Sequence, residues 1–351
     1  MASLVLITRE GRLLLKVGGI IFGILFVLFL FVQGGTMIRD AMFPKPPPAP
    51  EQAFGELPHP KFPEQSPEIL EYKLNTVDGL LPVLAKDNRV NIYKIKQNKP
   101  NLLALQDAKN TLDSGNFVEN QLKLSDTLYR FTQSRTGVII EYDIVSKNFS
   151  LTSNYFGNPS LVATNLLPSE ESILSDIESF LHTIDANIEN IDFEKSKVEY
   201  LEEQNGVLVT AQNLGTARYA RVTLLQKPID EYGIVFGGPN GSILNFLVSY
   251  PSSSLQVLEG IFFNPEADLE EKSDYWIKNT TQAFEDLKAG KAYLINPNKL
   301  TSIDITTVEL KYYLTKDTTD FLLPIYVFSG NNFTAYVDAL PEAVQTQPSQ
   351  Q

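Results

Sequence analysis

PSEESILSDIESFLHTIDANI, residues 168–188, reads as an amphipathic helix with its own start signal. Ser169 stands where an N-cap hydroxyl accepts a backbone N–H, and Glu170 and Glu171 fall in the first turn, facing the positive end of the helix dipole. Ile173, Leu174, Ile177, Phe180, Leu181, Ile184 and Ile188 recur on one face at helical spacing. His182 projects from the opposite face, as a solvated surface histidine does. Strand-like runs follow at residues 197–201, 207–212, 217–226, 233–236 and 243–250, with an Asn205-Gly206 turn between the first two.

The same order recurs on either side. A helix is predicted to begin near Pro100, turn Leu102, Leu105, Ala108 and Leu112 inward and stop at Ser114-Gly115; strands are then expected at 128–133, 138–144 and 149–153. Another is predicted from about Leu269, with Leu269, Trp276, Ala283, Phe284 and Leu287 on one face and Gly290 at its end. Strands at 303–314, 321–328 and 333–337 come after it, the last two turning at Gly330-Asn331-Asn332. The chain therefore reads as α+β, with tandem αβββ-like modules of one helix and an antiparallel sheet. Their expected limits are 69–160, 161–265 (enlarged) and 266–341, with a polar, disordered tail at 342–351.

The amino-terminal side is different in kind. Residues 17–38 carry no charge, and residues 17–32 are an unbroken run of aliphatic, Phe and Gly residues. About 20 residues at ~1.5 Å each cross a hydrocarbon core of ~30 Å, so 17–38 reads as a single transmembrane helix acting as an uncleaved signal anchor. Arg9, Arg12 and Lys16 precede it and only Arg39 and Lys45 follow closely, which places residues 1–16 in the cytoplasm and the rest outside it. Gly19 and Gly23 form a Gly-x-x-x-Gly step through which two such helices can approach as a homodimer. Residues 39–68 are expected to be a stalk, since nine of the 21 prolines fall at 44–67 and favour extended polyproline II. His59 lies inside it, between Pro58 and Pro60.

Composition narrows the chemistry. The 351 residues include no Cys and two His, His59 and His182, which removes disulfides, thiolate metal sites, cysteine nucleophiles and three-histidine metal centres. The net charge of −13 argues against nucleic acid as a partner. Residues 69–341 hold 23 basic and 35 acidic residues, so the excess belongs to the outer region.

Residues 321–340, FLLPIYVFSG followed by FTAYVDAL after Asn331-Asn332, resemble the terminal hairpin of PepSY-type domains. The resemblance covers about 70 residues and lacks the usual Thr-Gly after Val337-Asp338-Ala339. It implies a helix followed by an antiparallel hairpin and, by similarity to membrane-anchored regulators of bacterial sensor kinases, a regulatory role on the outer cell face. It supplies no catalytic residues.

Other motifs are weaker. Residues 237–242, GGPNGS, lie between two strand runs, lack the Lys-Ser/Thr of a phosphate loop and read as a hairpin turn. Residues 170–203 carry eleven carboxylates against Lys195 and Lys197, without a calcium-loop pattern, and read as a solvated acidic face. Ser252-Ser253-Ser254 lacks a nucleophile elbow. Sequons at Asn148, Asn240, Asn279 and Asn332 fit Asn-rich turns equally well. No catalytic, cofactor-binding or metal-binding residue is assigned, and no cofactor is expected. The expected function is a non-enzymatic binding or regulatory protein that contacts another envelope protein or a cell-wall component. A cell-envelope hydrolase with paired carboxylates and a structural assembly subunit are the alternatives.

Overall fold

Two sheets carry the fold, and their strands are drawn very differently from the chain. In this computed structural model the described residues are 29, 49–64, 71–237, 242–295, 302–316, 320–331 and 333–342. In chain order the elements are β1 (Glu71–Leu74), β2 (Arg89–Ile95), α1 (Ala104–Ser114), β3 (Phe117–Lys123), β4 (Leu128–Gln133), β5 (Ile139–Asp143), β6 (Phe149–Thr152) and α2 (Glu170–Thr183). There follow β7 (Ile191–Gln204), β8 (Val207–Thr210), β9 (Tyr219–Gln226), β10 (Ile234–Phe236), β11 (Leu244–Ser249), β12 (Gln256–Phe262) and β13 (Ala267–Trp276). The last are α3 (Thr280–Lys288), β14 (Ala292–Ile295), β15 (Ser302–Leu314), β16 (Phe321–Gly330) and β17 (Phe333–Asp338). The α+β class expected from the pattern is what the chain adopts, with sheet predominating.

The nine-stranded sheet runs β3-β4-β5-β6-β12-β11-β9-β7-β8 and is antiparallel throughout. The eight-stranded sheet runs β1-β15-β16-β17-β14, with β10 also on β15 and with β2 joining β13 to β16. Both β1 and β10 lie parallel to β15. Helix-then-strands order is present, but the sheets do not follow the three expected modules. Strands of the first two share one sheet, joined where β6 pairs with β12. One core runs through both sheets and all three helices, including Leu112, Ile177, Leu181, Phe246, Leu287, Tyr312 and Phe328. From Pro50 onward the described residues form one compact unit.

Helix α2 matches its sequence signals. Ser169 Oγ accepts the Ser172 N–H, Ile173, Ile177 and Leu181 are buried, and His182 is exposed. Helix α1 starts later than predicted, at Ala104: the Leu103 N–H goes to Asn101 Oδ1 at 2.6 Å, an Asx turn, and Leu102 is exposed rather than inward. The third helix needs a larger correction. Leu269 and Trp276 belong to β13, which pairs with β2, and α3 begins only at Thr280 behind a capping box of Asn279 and Gln282. The seven-residue recurrence of Leu269, Trp276 and Ala283 imitates a helix face. Pairing with β2 decides otherwise. Residues 237–242 do not turn a hairpin either, because β10 lies in one sheet and β11 in the other; residues 238–241 are outside the described set.

Residues 50–64, expected in the stalk, are a strap on the eight-stranded sheet. The Glu51, Gln52, Ala53 and Phe54 N–H groups donate to Asp274 Oδ1, Asp274 O, Ser273 Oγ and Tyr275 Oη at 2.8–3.2 Å, covering the free edge of β13. Phe54 packs on Tyr275 and Phe321, and Phe62 enters a cluster with Tyr293 and Tyr313. Gly237 makes room there, since a Cβ on it would lie 1.9 Å from the Tyr313 hydroxyl. Proline keeps the strap extended, but its aromatic residues fix it to the sheet. The predicted span at 17–38 lies, apart from Phe29, outside the described residues. Among the described residues no helix is long and apolar enough to cross a membrane.

Candidate binding cleft

Where the two sheets meet, the ends of β2, β7, β9 and the β12–β13 connection leave a cleft. It has two lobes of about 480 and 760 Å³ that share Ile95, Lys96, Glu189, Pro265 and Glu266. Its floor is an amide network. Asn264 Nδ2 donates to Asn190 Oδ1 at 2.6 Å and to the Asn187 carbonyl at 2.7 Å. Gln226 Nε2 donates to Asn264 Oδ1 at 2.5 Å, and the Asn264 N–H donates to Asn148 Oδ1 at 3.0 Å. Gln226 and Asn264 are buried, so each must be satisfied by such partners. The network ties β6, β7, β9 and β12 together at the seam and makes the cleft floor rigid.

Three of the carboxylates that line the lobes, Glu266, Asp185 and Asp143, are committed to partners. Glu266 pairs with Lys96 and accepts Asn187 Nδ2 at 3.1 Å. The hydrogen bond that the Lys96 ammonium donates to Glu266 holds its pKa above the ordinary lysine value. Asp185 pairs with Lys147. Asp143 accepts the Thr127 hydroxyl at 2.6 Å and the Val145 and Ser146 N–H groups at 3.0 and 2.8 Å, closing a turn. His182 reaches the rim of the larger lobe. The arrangement suits recognition of a polar ligand by amides and ammonium groups. Among the described residues no group of three or more His, Asp or Glu side chains is placed to hold a metal ion.

A second polar knot lies at residues 229–232. The Asp230 carboxylate accepts Tyr93 Oη at 2.5 Å and Asn91 Nδ2 at 2.6 Å. Burial first, and then this bond, raises the Tyr93 hydroxyl above its ordinary value. Asp230 and Glu231 both have left-handed backbone, φ 49° and 72°.

Of the residues singled out from sequence, Asn148, His182, Asp185 and Glu189 all line the larger lobe, and the others are not brought together. His59 Nδ1 is 2.5 Å from Asp338 Oδ2 on the strap side. The carboxylates of residues 170–203 are spread over α2, β7 and the connection between them, from which Asp185 and Glu189 reach the cleft. Asn279 is spent on the α3 cap and the Asn148 carbonyl on Asn264, while Asn240 and Asn332 lie outside the described residues. The cleft residues escaped the sequence reading because Lys96, Asn148, Gln226 and Asn264 come from four separate elements with no common spacing. No family model, no curated protein and no solved structure matches the chain.

Proposed function

We propose that the chain is a single-pass, membrane-anchored extracytoplasmic protein that binds or regulates without catalysing, and that its cleft contacts another envelope protein or a cell-wall component. The observation that carries this reading is the commitment of Glu266, Asp185 and Asp143 to lysine, hydroxyl and backbone partners. A carboxylate pair for hydrolysis needs one acid kept protonated and another free to face substrate or water. Around these committed carboxylates the cleft offers fixed amide and ammonium groups, which recognise without moving protons. The order α1 then β3–β6, α2 then β7–β12, α3 then β14–β17 supports three related helix-and-sheet modules, the first two fused edge to edge. The β16–β17 hairpin is consistent with the PepSY-type resemblance of residues 321–340. The hydrophobic run at 17–38 and its basic flank support the anchor and the outward orientation, and Gly19 and Gly23 its pairing.

The test is photo-crosslinking of the anchored chain in its native membrane, with the reactive group at Asn98 or Lys147 on the cleft. One stoichiometric adduct, lost on enlarging a floor side chain such as Asn264→Phe, is expected. Turnover of a cell-wall polymer that disappears in Glu266→Gln or Asp185→Asn would overturn the reading in favour of the hydrolase.

A further inference from the structure

One end of the eight-stranded sheet gathers features that the cleft does not use. Residues 76–85 present Val77, Leu80 and Val83 almost wholly to solvent, at 101, 72 and 86% exposure. The loop is held in that posture. Gly79, at φ 65°, donates its N–H to the Thr76 carbonyl at 2.9 Å, and the Thr76 hydroxyl donates to the Leu80 carbonyl at 2.8 Å. The Pro82 carbonyl accepts the Thr280 hydroxyl at 2.8 Å, which pins the loop over the start of α3. Four residues before Thr280 stands Trp276, the only tryptophan of the chain, 40% exposed, with the Arg89 guanidinium 4.4 Å above its ring. Arg89 also reaches Asp274 at 3.3 Å, and Asp274 receives the backbone of Glu51 and Gln52. The chain arriving from the amino-terminal side therefore joins the fold beside Trp276.

We propose that this end of the folded unit rests on the lipid bilayer, with Val77, Leu80 and Val83 entering the headgroup boundary and Trp276, braced by Arg89, lying at headgroup level. Exposed aliphatic side chains beside a half-exposed tryptophan are the composition of membrane-interface contacts. Lys86 and Arg89 stand against Asp78, Asp87 and Asp274, one more carboxylate than cations, so the surface fits a zwitterionic bilayer better than an anionic one. The inference rests on the anchored reading above: an anchor at 17–38 leaves eleven residues, 39–49, before the strap, whose first hydrogen bonds lie beside Trp276.

Trp276 is its own probe. The full chain is reconstituted in phosphatidylcholine vesicles with and without brominated acyl chains, and its resistance to alkaline carbonate extraction is read in parallel. The expected result is loss of most of the Trp276 emission in brominated vesicles, restored in a Val77→Asp, Leu80→Asp, Val83→Asp variant. These positions are exposed, and circular dichroism checks that the variant is folded. A chain retained through carbonate but unquenched overturns the inference and leaves the anchor standing. Quenching that persists in the triple variant also overturns it. Quenching of a chain that carbonate removes supports the contact and sinks the anchor, and a chain neither retained nor quenched sinks both.

Discussion

The two sheets share one core but are finished in opposite ways. The eight-stranded sheet gathers strands from residues 71–95, 234–236 and 267–338 and has its outer aromatic cluster filled by Phe62 of the strap. The nine-stranded sheet is built from residues 117–262 alone and ends in open edges. At one edge, β3 is exposed over all but Phe117, with Val118 and Leu122 in solvent. Two register shifts and a left-handed Asn120 interrupt its pairing with β4. Such irregularity discourages edge-to-edge association. A sheet assembled from distant segments is here covered at its β13 edge by another distant segment, whereas a sheet of local hairpins protects its β3 edge by breaking its own regularity.

The comparison breaks most visibly if the sheets are independent. Phe246→Ala in the nine-stranded sheet and Phe328→Ala in the eight-stranded sheet should each cost about 3–5 kcal/mol, because both rings are wholly buried in the shared core. Each variant should unfold in one transition seen alike by Trp276 fluorescence and far-ultraviolet circular dichroism. Separate transitions would divide the unit in two.

Backbone closeness gives a finer contrast. A Cβ at Gly330 would lie 2.1 Å from the Asp304 carbonyl oxygen, whereas one at Gly260 would lie 2.4 Å from the Phe246 ring. A ring can turn and a paired strand cannot. Gly330→Ala should therefore cost about 2–3 kcal/mol in urea unfolding and more than Gly260→Ala.

Covered and open surfaces should respond unequally as well. Phe54→Ala loses ring contacts with Tyr275 and Phe321 and should cost about 1–2 kcal/mol, while Val118→Ala on β3 should stay within about 0.5 kcal/mol of the parent. A smaller gain is expected at the turn of residues 229–232. Glu231→Gly relieves a left-handed residue and should raise stability by up to about 1 kcal/mol, read as a higher urea midpoint.

The remaining effect is alkaline. Desolvation pushes Tyr336, in the cluster that Phe62 enters, and Tyr155, on the nine-stranded sheet, up to about 12. The unfolded chain ionises these phenols near pH 10, so it binds fewer protons than the folded chain between about pH 10 and 12. Stability should fall as pH rises through that window. Phenolate absorbance should appear with unfolding rather than before it, and Tyr336→Phe should flatten the fall.

What could be read in advance follows the same division. The hairpins β4–β5, β5–β6, β7–β8 and β16–β17 were visible because turn residues and alternation lie within a few positions of one another. So was α2, whose cap and apolar face occupy one continuous stretch. Strands β1, β2, β10 and β13 owe their partners to residues far away: Arg89 meets Trp276 and Ile234 meets Tyr312. Nothing local marks such pairs, and the Asp-Leu-Glu-Glu-Lys run of β13 carries helix-like composition. The strap was obscured for a related reason. Nine prolines announce an extended chain but not what it lies on, which Phe54 and Phe62 decide. The cleft was least legible, because its amides are ordinary residues until four elements converge.

Hydrogen exchange, followed by mass spectrometry on the full chain in vesicles, tests most directly whether the strap belongs to the fold. The amides of Gln52, Ala53 and Phe54 should be protected to the same degree as those of Ser273 and Tyr275 beside them, while residues 118–121 at the open edge exchange far faster. Exchange of residues 52–54 at the rate of an unstructured peptide would contradict the account and return that segment to a free stalk.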